Sequence, residues 1–75
     1  MYIRNLNEKI KLAEMKVSLF HLISAYGEII EVNLRQTMRG QVFVTMREQE
    51  MADRTLKELR GFVLFGKEMD IQYAR

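Results

Sequence analysis

The chain opens on a short alternating run, Met1-Tyr2-Ile3-Arg4-Asn5, whose large side chains divide between two faces as those of a β-strand do. From Leu12 to Tyr26 the period changes. Met15, Leu19, Leu22 and Tyr26 recur at helical spacing with Ile23 beside them, and Gly27 follows as the expected left-handed helix stop. Ile29 to Leu34 reads as a strand with Ile30, Val32 and Leu34 on one face. A polar stretch from Arg35 to Gly40 suits a hairpin loop into a third strand, Gln41 to Met46. A second helix is predicted from about Gln49 to Arg60, with Ala52, Leu56 and Leu59 inward, Glu48 and Glu50 at its start, and Gly61 as its stop. Met69 to Tyr73 is the last strand.

The order β-α-β-β-α-β, with short connections, predicts an α+β fold of the split βαβ (ferredoxin-like) kind. Both crossover helices should cover one face of a four-stranded antiparallel sheet. Residues 1–75 are expected to form one domain, and an end immediately after the last strand also suits a piece of a longer protein. One sheet face then has no helix to cover it. Strand parity puts Ile3, Val42, Val44, Met46, Met69, Ile71 and Tyr73 toward the helices. It leaves Tyr2, Arg4, Gln41, Phe43, Thr45, Asp70, Gln72 and Ala74 on the bare side. Two aromatic rings open to water among amides and an arginine suit the stacking of nucleic-acid bases. Isolated exposed aromatics are also common on ordinary surfaces, so parity alone leaves both readings open.

Composition narrows the chemistry. With 75 residues, 48% apolar and 29% charged, the chain can hold one small core. It has no cysteine and one histidine, His21, which excludes disulfides and argues against a zinc site. No apolar run approaches a membrane span, and no nucleophile–base set or phosphate-cradling loop is visible. The expectation is a protein that is not an enzyme and has no cofactor, metal, membrane or small-molecule ligand. A net charge of +2 is compatible with nucleic acid and weak as an argument by itself.

Motifs decide between the two readings of the bare face. Arg39-Gly40-Gln41-Val42-Phe43-Val44-Thr45-Met46 matches the RNA-recognition octamer in its basic start, its glycine and its central Phe-Val. It departs at the third, fourth and last places. Tyr2-Ile3-Arg4-Asn5-Leu6 occupies the companion box on the first strand. Together with the loop Asn7-Glu8-Lys9-Ile10-Lys11, with Met38-Arg39-Gly40-Gln41 and with Ile71-Gln72-Tyr73-Ala74, these residues resemble the first RNA-recognition motif of the U1 A / U2 B-double-prime spliceosomal proteins.

That resemblance implies nuclear recognition of a small nuclear RNA stem-loop in pre-mRNA splicing. Residue by residue, it implies Tyr2 and Phe43 as stacking platforms, with Arg4 beside them on the RNA-facing side. Asn5, Glu8, Gln41 and Gln72 would read base edges, and Lys9, Lys11, Arg39 and Arg75 would meet phosphates or the closing base pair. Three departures stand out: Arg4 where Asn is usual, Asp70 where a basic residue is usual, and a short hairpin loop before Gly40. Asp70 reads from sequence as a local electrostatic penalty to RNA.

A second apolar strip lies on the first helix, where Ala13, Val17 and Phe20 stand at i, i+4 and i+7 apart from the core stripe. It reads either as a widened core stripe or as a docking surface. In the family the resemblance implies, the U2 member binds a leucine-rich-repeat protein of the A-prime type through this helix. The strip therefore favours U2 over U1 small nuclear RNA. The alternatives are a U1 stem-loop binder, or a protein-interaction module that has lost RNA recognition on the same fold.

Overall fold

Residues from every main element of the chain meet in one apolar cluster. Ile3 of the first strand, Met15, Leu19 and Ile23 of the first helix, and Val42, Val44 and Met46 of a central strand pack with Ala52, Leu56, Leu59 and Ile71. The structure, a computed structural model, describes residues 1–34 and 39–73. The hairpin residues Arg35 to Met38, and Ala74 and Arg75, lie outside the described residues. The elements run β1 (Tyr2–Arg4), α1 (Leu12–Ser24), β2 (Ile29–Leu34), β3 (Val42–Met46), α2 (Gln49–Leu59), β4 (Val63–Leu64), β5 (Lys67–Glu68) and β6 (Asp70–Gln72). The main sheet has the order β2-β3-β1-β6 with every described pairing antiparallel. The two sequential crossovers through α1 and α2 thus place β1 and β3, the strands bearing the two motif boxes, at the sheet's centre. This is the α+β split βαβ architecture expected from the element order.

Strand parity holds along β3, where Val42, Val44 and Met46 are buried and Phe43 and Thr45 are exposed. It fails at one end of β2. A bulge between Ile29 and Glu31 shifts the register against β3. An extra residue in one strand reverses the alternation across it. Ile29 therefore packs against the core, while Ile30, expected inside, is 61% exposed. Val32 and Leu34, beyond the bulge, keep the predicted side.

Two further corrections concern helix ends and the last strand. Gly27 does not end α1 by a left-handed turn: the positive-φ glycines are Gly40, Gly61 and Gly66. It is small because α2 passes close by, and a Cβ there would stand 2.7 Å from Cγ of Met51. Gly61, at φ +83°, is the left-handed stop after α2. Tyr73 follows the last described strand residue on the helix side, but it is 51% exposed and not in the core. Its hydroxyl donates to the Asp53 carboxylate of α2, which draws the polar end of the ring to the surface. Between α2 and β6 the chain makes a small hairpin, β4–β5, which the sequence pattern does not predict.

Candidate nucleic-acid interface

The uncovered face is built on four strands in register. Tyr2 of β1 stands opposite Phe43 of β3 on one side and Gln72 of β6 on the other. Asn33 of β2 continues the row beyond Phe43. Because these positions share one parity, their side chains project together from the face that carries no helix. The Tyr2 and Phe43 rings lie with centroids 4.9 Å apart and planes tilted by 33°. Phe43 is 39% exposed. The two rings at this separation support each other, and the exposed Phe43 ring can take a stacked base.

Polar groups around the rings are oriented by specific hydrogen bonds. The Tyr2 hydroxyl donates to Oε1 of Gln41 at 2.8 Å, which leaves the Gln41 amide nitrogen as a directed donor. Asn5 adopts a left-handed backbone, φ 63°, tolerated by a short amide side chain, and its Nδ2 donates to the Glu68 carbonyl at 2.8 Å. Its oxygen remains available as an acceptor. Gln72 donates weakly to Asp70 at 3.4 Å.

Arg4 and Asp70, facing each other across β1 and β6, form an ion pair with Nε to Oδ2 at 2.5 Å. The hydrogen bond from Arg4, reinforced by its charge, holds the Asp70 carboxyl below the ordinary carboxylate range. The same contact raises the Arg4 guanidinium still further above its ordinary value. The two departures from the family pattern are therefore one feature, and Asp70 is a neutralised partner more than a bare negative charge.

The loop between β1 and α1 is pinned to the end of the β2–β3 hairpin. Leu6 donates its amide to the Gly40 carbonyl at 3.1 Å. Arg39 donates Nε to the Glu8 carbonyl at 3.0 Å, and its Nη2 reaches the carbonyls of Glu8 and Ile10. Arg39, expected as a contact to phosphate or to a closing base pair, here clasps backbone carbonyls of its own chain. Asn7 fixes the other side of the loop, with Nδ2 on the Phe65 carbonyl at 2.9 Å and Oδ1 accepting from the Lys9 amide. The result is a groove of about 480 Å³, lined by Arg4, Asn5, Glu8, Gln41 and Asp70 among others. Lys67 of the β4–β5 hairpin also lines it. The sequence reading missed Lys67 because it missed that hairpin. Lys9 and Lys11 are exposed on the same loop, and Arg75 lies outside the described residues.

On α1, Ala13, Val17 and Phe20 are exposed, so the strip is not a widened core stripe. Val17 is 56% and Phe20 48% accessible. Lys16 and His21 flank them around a shallow apolar depression. Among the described residues, no group of three His, Cys, Asp or Glu side chains could hold a metal ion, and no helix is long and apolar enough to cross a membrane.

Comparison with known proteins bears directly on this arrangement. The family model described as RNA recognition motif, also termed RRM, RBD or RNP domain, matches residues 1–75. The chain is an RNA-recognition motif. It belongs to the U1 A / U2 B-double-prime group of that family. It is 49% identical over 77 aligned positions to the U1 small nuclear ribonucleoprotein usp102 of Schizosaccharomyces pombe, covering all of this chain and 31% of that protein. It is 43% identical to the U2 small nuclear ribonucleoprotein B'' of Oryza sativa subsp. indica, covering all of this chain and 33% of that one. The chain thus spans about a third of the length of these curated relatives. Among solved structures, the Sex-lethal RNA recognition domains 1 and 2 from Drosophila melanogaster superpose with a TM-score of 0.82 at 23% identity, over 99% of this chain and 48% of that one. That likeness shows the fold. As a member of the RNA-recognition-motif family, the chain is a binding module and not an enzyme.

Proposed function

We propose that this RNA-recognition motif binds the single-stranded loop of a spliceosomal small nuclear RNA stem-loop in the nucleus, as part of a ribonucleoprotein acting in pre-mRNA splicing. The observation that carries the reading is the Tyr2–Phe43 ring pair, open on the sheet face and bordered by Gln41, Gln72 and Asn33. Single-stranded RNA is recognised by stacking unpaired bases on such rings and by addressing their edges with amides. Asn5, Gln41, Gln72 and Glu8 are the base-edge readers in this proposal. Lys9, Lys11 and Arg75 supply backbone attraction, and Arg39 joins them when RNA displaces its clasp. Residues 1–75 would suffice as the binding unit.

U2 RNA is the favoured target, with a leucine-rich-repeat protein of the A-prime type on α1. The exposed Ala13, Val17 and Phe20 strip supports that branch. A U1 target is the second reading, favoured by the 49% identity to a U1 relative. Fluorescence anisotropy with labelled U2 and U1 stem-loops, with and without the leucine-rich-repeat protein, separates them. The U2 reading expects tighter U2 binding when that protein is present, and equal or tighter U1 binding would overturn it. Phe43→Ala should weaken binding to the preferred stem-loop by roughly 1–3 kcal/mol while leaving the circular dichroism spectrum unchanged. Undiminished affinity in that variant would remove the sheet face from the mechanism.

A further inference from the structure

The Arg4–Asp70 pair has the geometry of a preset reader rather than of a structural brace. Both side chains are substantially exposed, 53% and 37%, and exposed ion pairs contribute little to fold stability. The pair is also a poor phosphate clamp, because Asp70 cancels the charge that would draw a phosphate. What it leaves is direction. Arg4 spends Nε on Asp70, and its two Nη groups have no hydrogen-bond partner among the described residues. Arg4 lines the groove together with Gln41 and stands two residues along β1 from Tyr2.

A planar fork of N–H donors held in one orientation matches a base edge with two adjacent acceptors. Guanine presents O6 and N7 in that way. On that edge adenine sets a donor beside N7 and uracil has a single carbonyl, while cytosine offers two adjacent acceptors only on its Watson–Crick edge, O2 and N3, so a fixed cytosine in place of guanine is the competing outcome. In a single-stranded loop this edge is not hidden in a helix. Side chains at i and i+2 of a strand lie roughly 7 Å apart on one face, so a base seated on Tyr2 or its neighbour brings this edge within reach of Arg4.

We infer that Arg4 reads a guanine in the bound loop and that Asp70 is the positioning residue that aims it. The inference rests on the RNA-binding reading above and adds a base preference at one site. Asp70 also serves specificity negatively, since its carboxylate repels a phosphate that would otherwise settle on Arg4. A charge pair of this kind changes which loop is bound more than how tightly RNA in general is bound.

The test is selection of RNA stem-loops from a pool with a randomised loop, followed by anisotropy on the selected loop and its single-base variants. Wild-type protein should fix guanine at one loop position, with adenine there weakening binding roughly tenfold or more. Arg4→Asn and Arg4→Lys should both reduce that discrimination to about threefold or less, while preferences at other positions persist. Lysine keeps the charge and lacks the fork, so Arg4→Lys separates base reading from electrostatics. Asp70→Asn should lose much of the guanine preference while steepening the salt dependence by about 0.7 in logarithmic slope, as one more unpaired cation meets the strand. A merely structural role for Asp70 would not produce that split. Guanine preference that survives Arg4→Lys, or a selected loop with no fixed guanine, overturns the inference. Loss of binding in Phe43→Ala alongside either result would leave the sheet-face reading standing, whereas wild-type binding by Phe43→Ala would bring down both.

Discussion

Asp53 and Asp70 serve two different surfaces through the same chemistry. On the helix side, the Tyr73 hydroxyl and the Gln49 amide donate to Asp53 and hold its carboxyl below the ordinary value of 3.8. On the sheet face, Arg4 does the same for Asp70. A carboxyl depressed on folding stabilises the fold above its unfolded value and loses that contribution as pH falls through the folded one. Both contributions are therefore complete above about pH 5 and are lost progressively in stronger acid. Tyr73→Phe should make the loss of stability on acidification shallower than in wild type, as read from urea denaturation at stepped pH. An identical acid profile would mean that the Tyr73–Asp53 contact does not persist in solution. At this scale the candidate site was partly legible. Tyr2, Phe43, Gln41 and Gln72 could be placed by alternation because a strand's period is fixed by its backbone. The Arg4–Asp70 pair was not, since pairing between residues 66 positions apart depends on which strands become neighbours. The Arg39 clasp escaped for a related reason: its acceptors are main-chain carbonyls, which every residue carries.

Elements were legible where one pattern dominated, and misread where a local irregularity overrode it. α1 and α2 began at the predicted residues, Leu12 and Gln49, because their apolar periodicity is long. β2 was placed correctly and faced wrongly at one end, since a bulge leaves no mark in the Ile29-Ile30 pair, both of which suit either side. The β4–β5 hairpin turns through Phe65 at φ 50° and Gly66 at φ 80°. Two consecutive left-handed residues match the two-residue hairpin turn that prefers Asn-Gly or Asp-Gly, and phenylalanine at the first place conceals it. Gly27 is the clearest contrast with Gly61. Gly61 has open space around it and a left-handed backbone, whereas Gly27 has an ordinary backbone and no space. A Cβ at Gly27 would meet Met51 Cγ at 2.7 Å, Met51 Cβ at 2.8 Å and Met46 Cε at 3.3 Å. Met51 Cγ could swing away, but Cβ moves only with the α2 backbone. Gly27→Ala should therefore destabilise the domain by about 1–3 kcal/mol through displacement of α2 from β3. The opposing gain from restricting the unfolded chain is only about 0.4–1 kcal/mol. Urea titration reads the balance, and a variant as stable as wild type would show that the helix yields freely.

At the scale of the domain, the two candidate binding surfaces lie on opposite sides of a two-layer body. One core, closed by Ile3, Leu19, Ile23, Val42, Val44 and Ile71, separates the ring-bearing sheet face from the outer side of α1. Side chains on the two surfaces share no described hydrogen bond or ion pair, so a change on one should be silent on the other when it leaves the core intact. Val17 is the sharpest probe of this separation, because it is more than half exposed and sits between Ala13 and Phe20 on the outer strip. In the isolated domain, Val17→Asp replaces a solvated apolar side chain by a solvated charge, and stability should change by no more than about 0.5 kcal/mol. RNA affinity should be unaltered, since the added charge lies behind the sheet, apart from a small uniform weakening at low salt. Binding of a leucine-rich-repeat partner should be lost, because a carboxylate buried without a partner in an apolar interface costs several kcal/mol. Phe43→Ala should show the converse: impaired RNA binding with partner binding retained. The decisive measurement is the pair of variants in both assays, with a thermal melt of each. If Val17→Asp lowers RNA affinity and partner affinity together at an unchanged melting temperature, the two surfaces are coupled through the core, and the two-surface assignment fails.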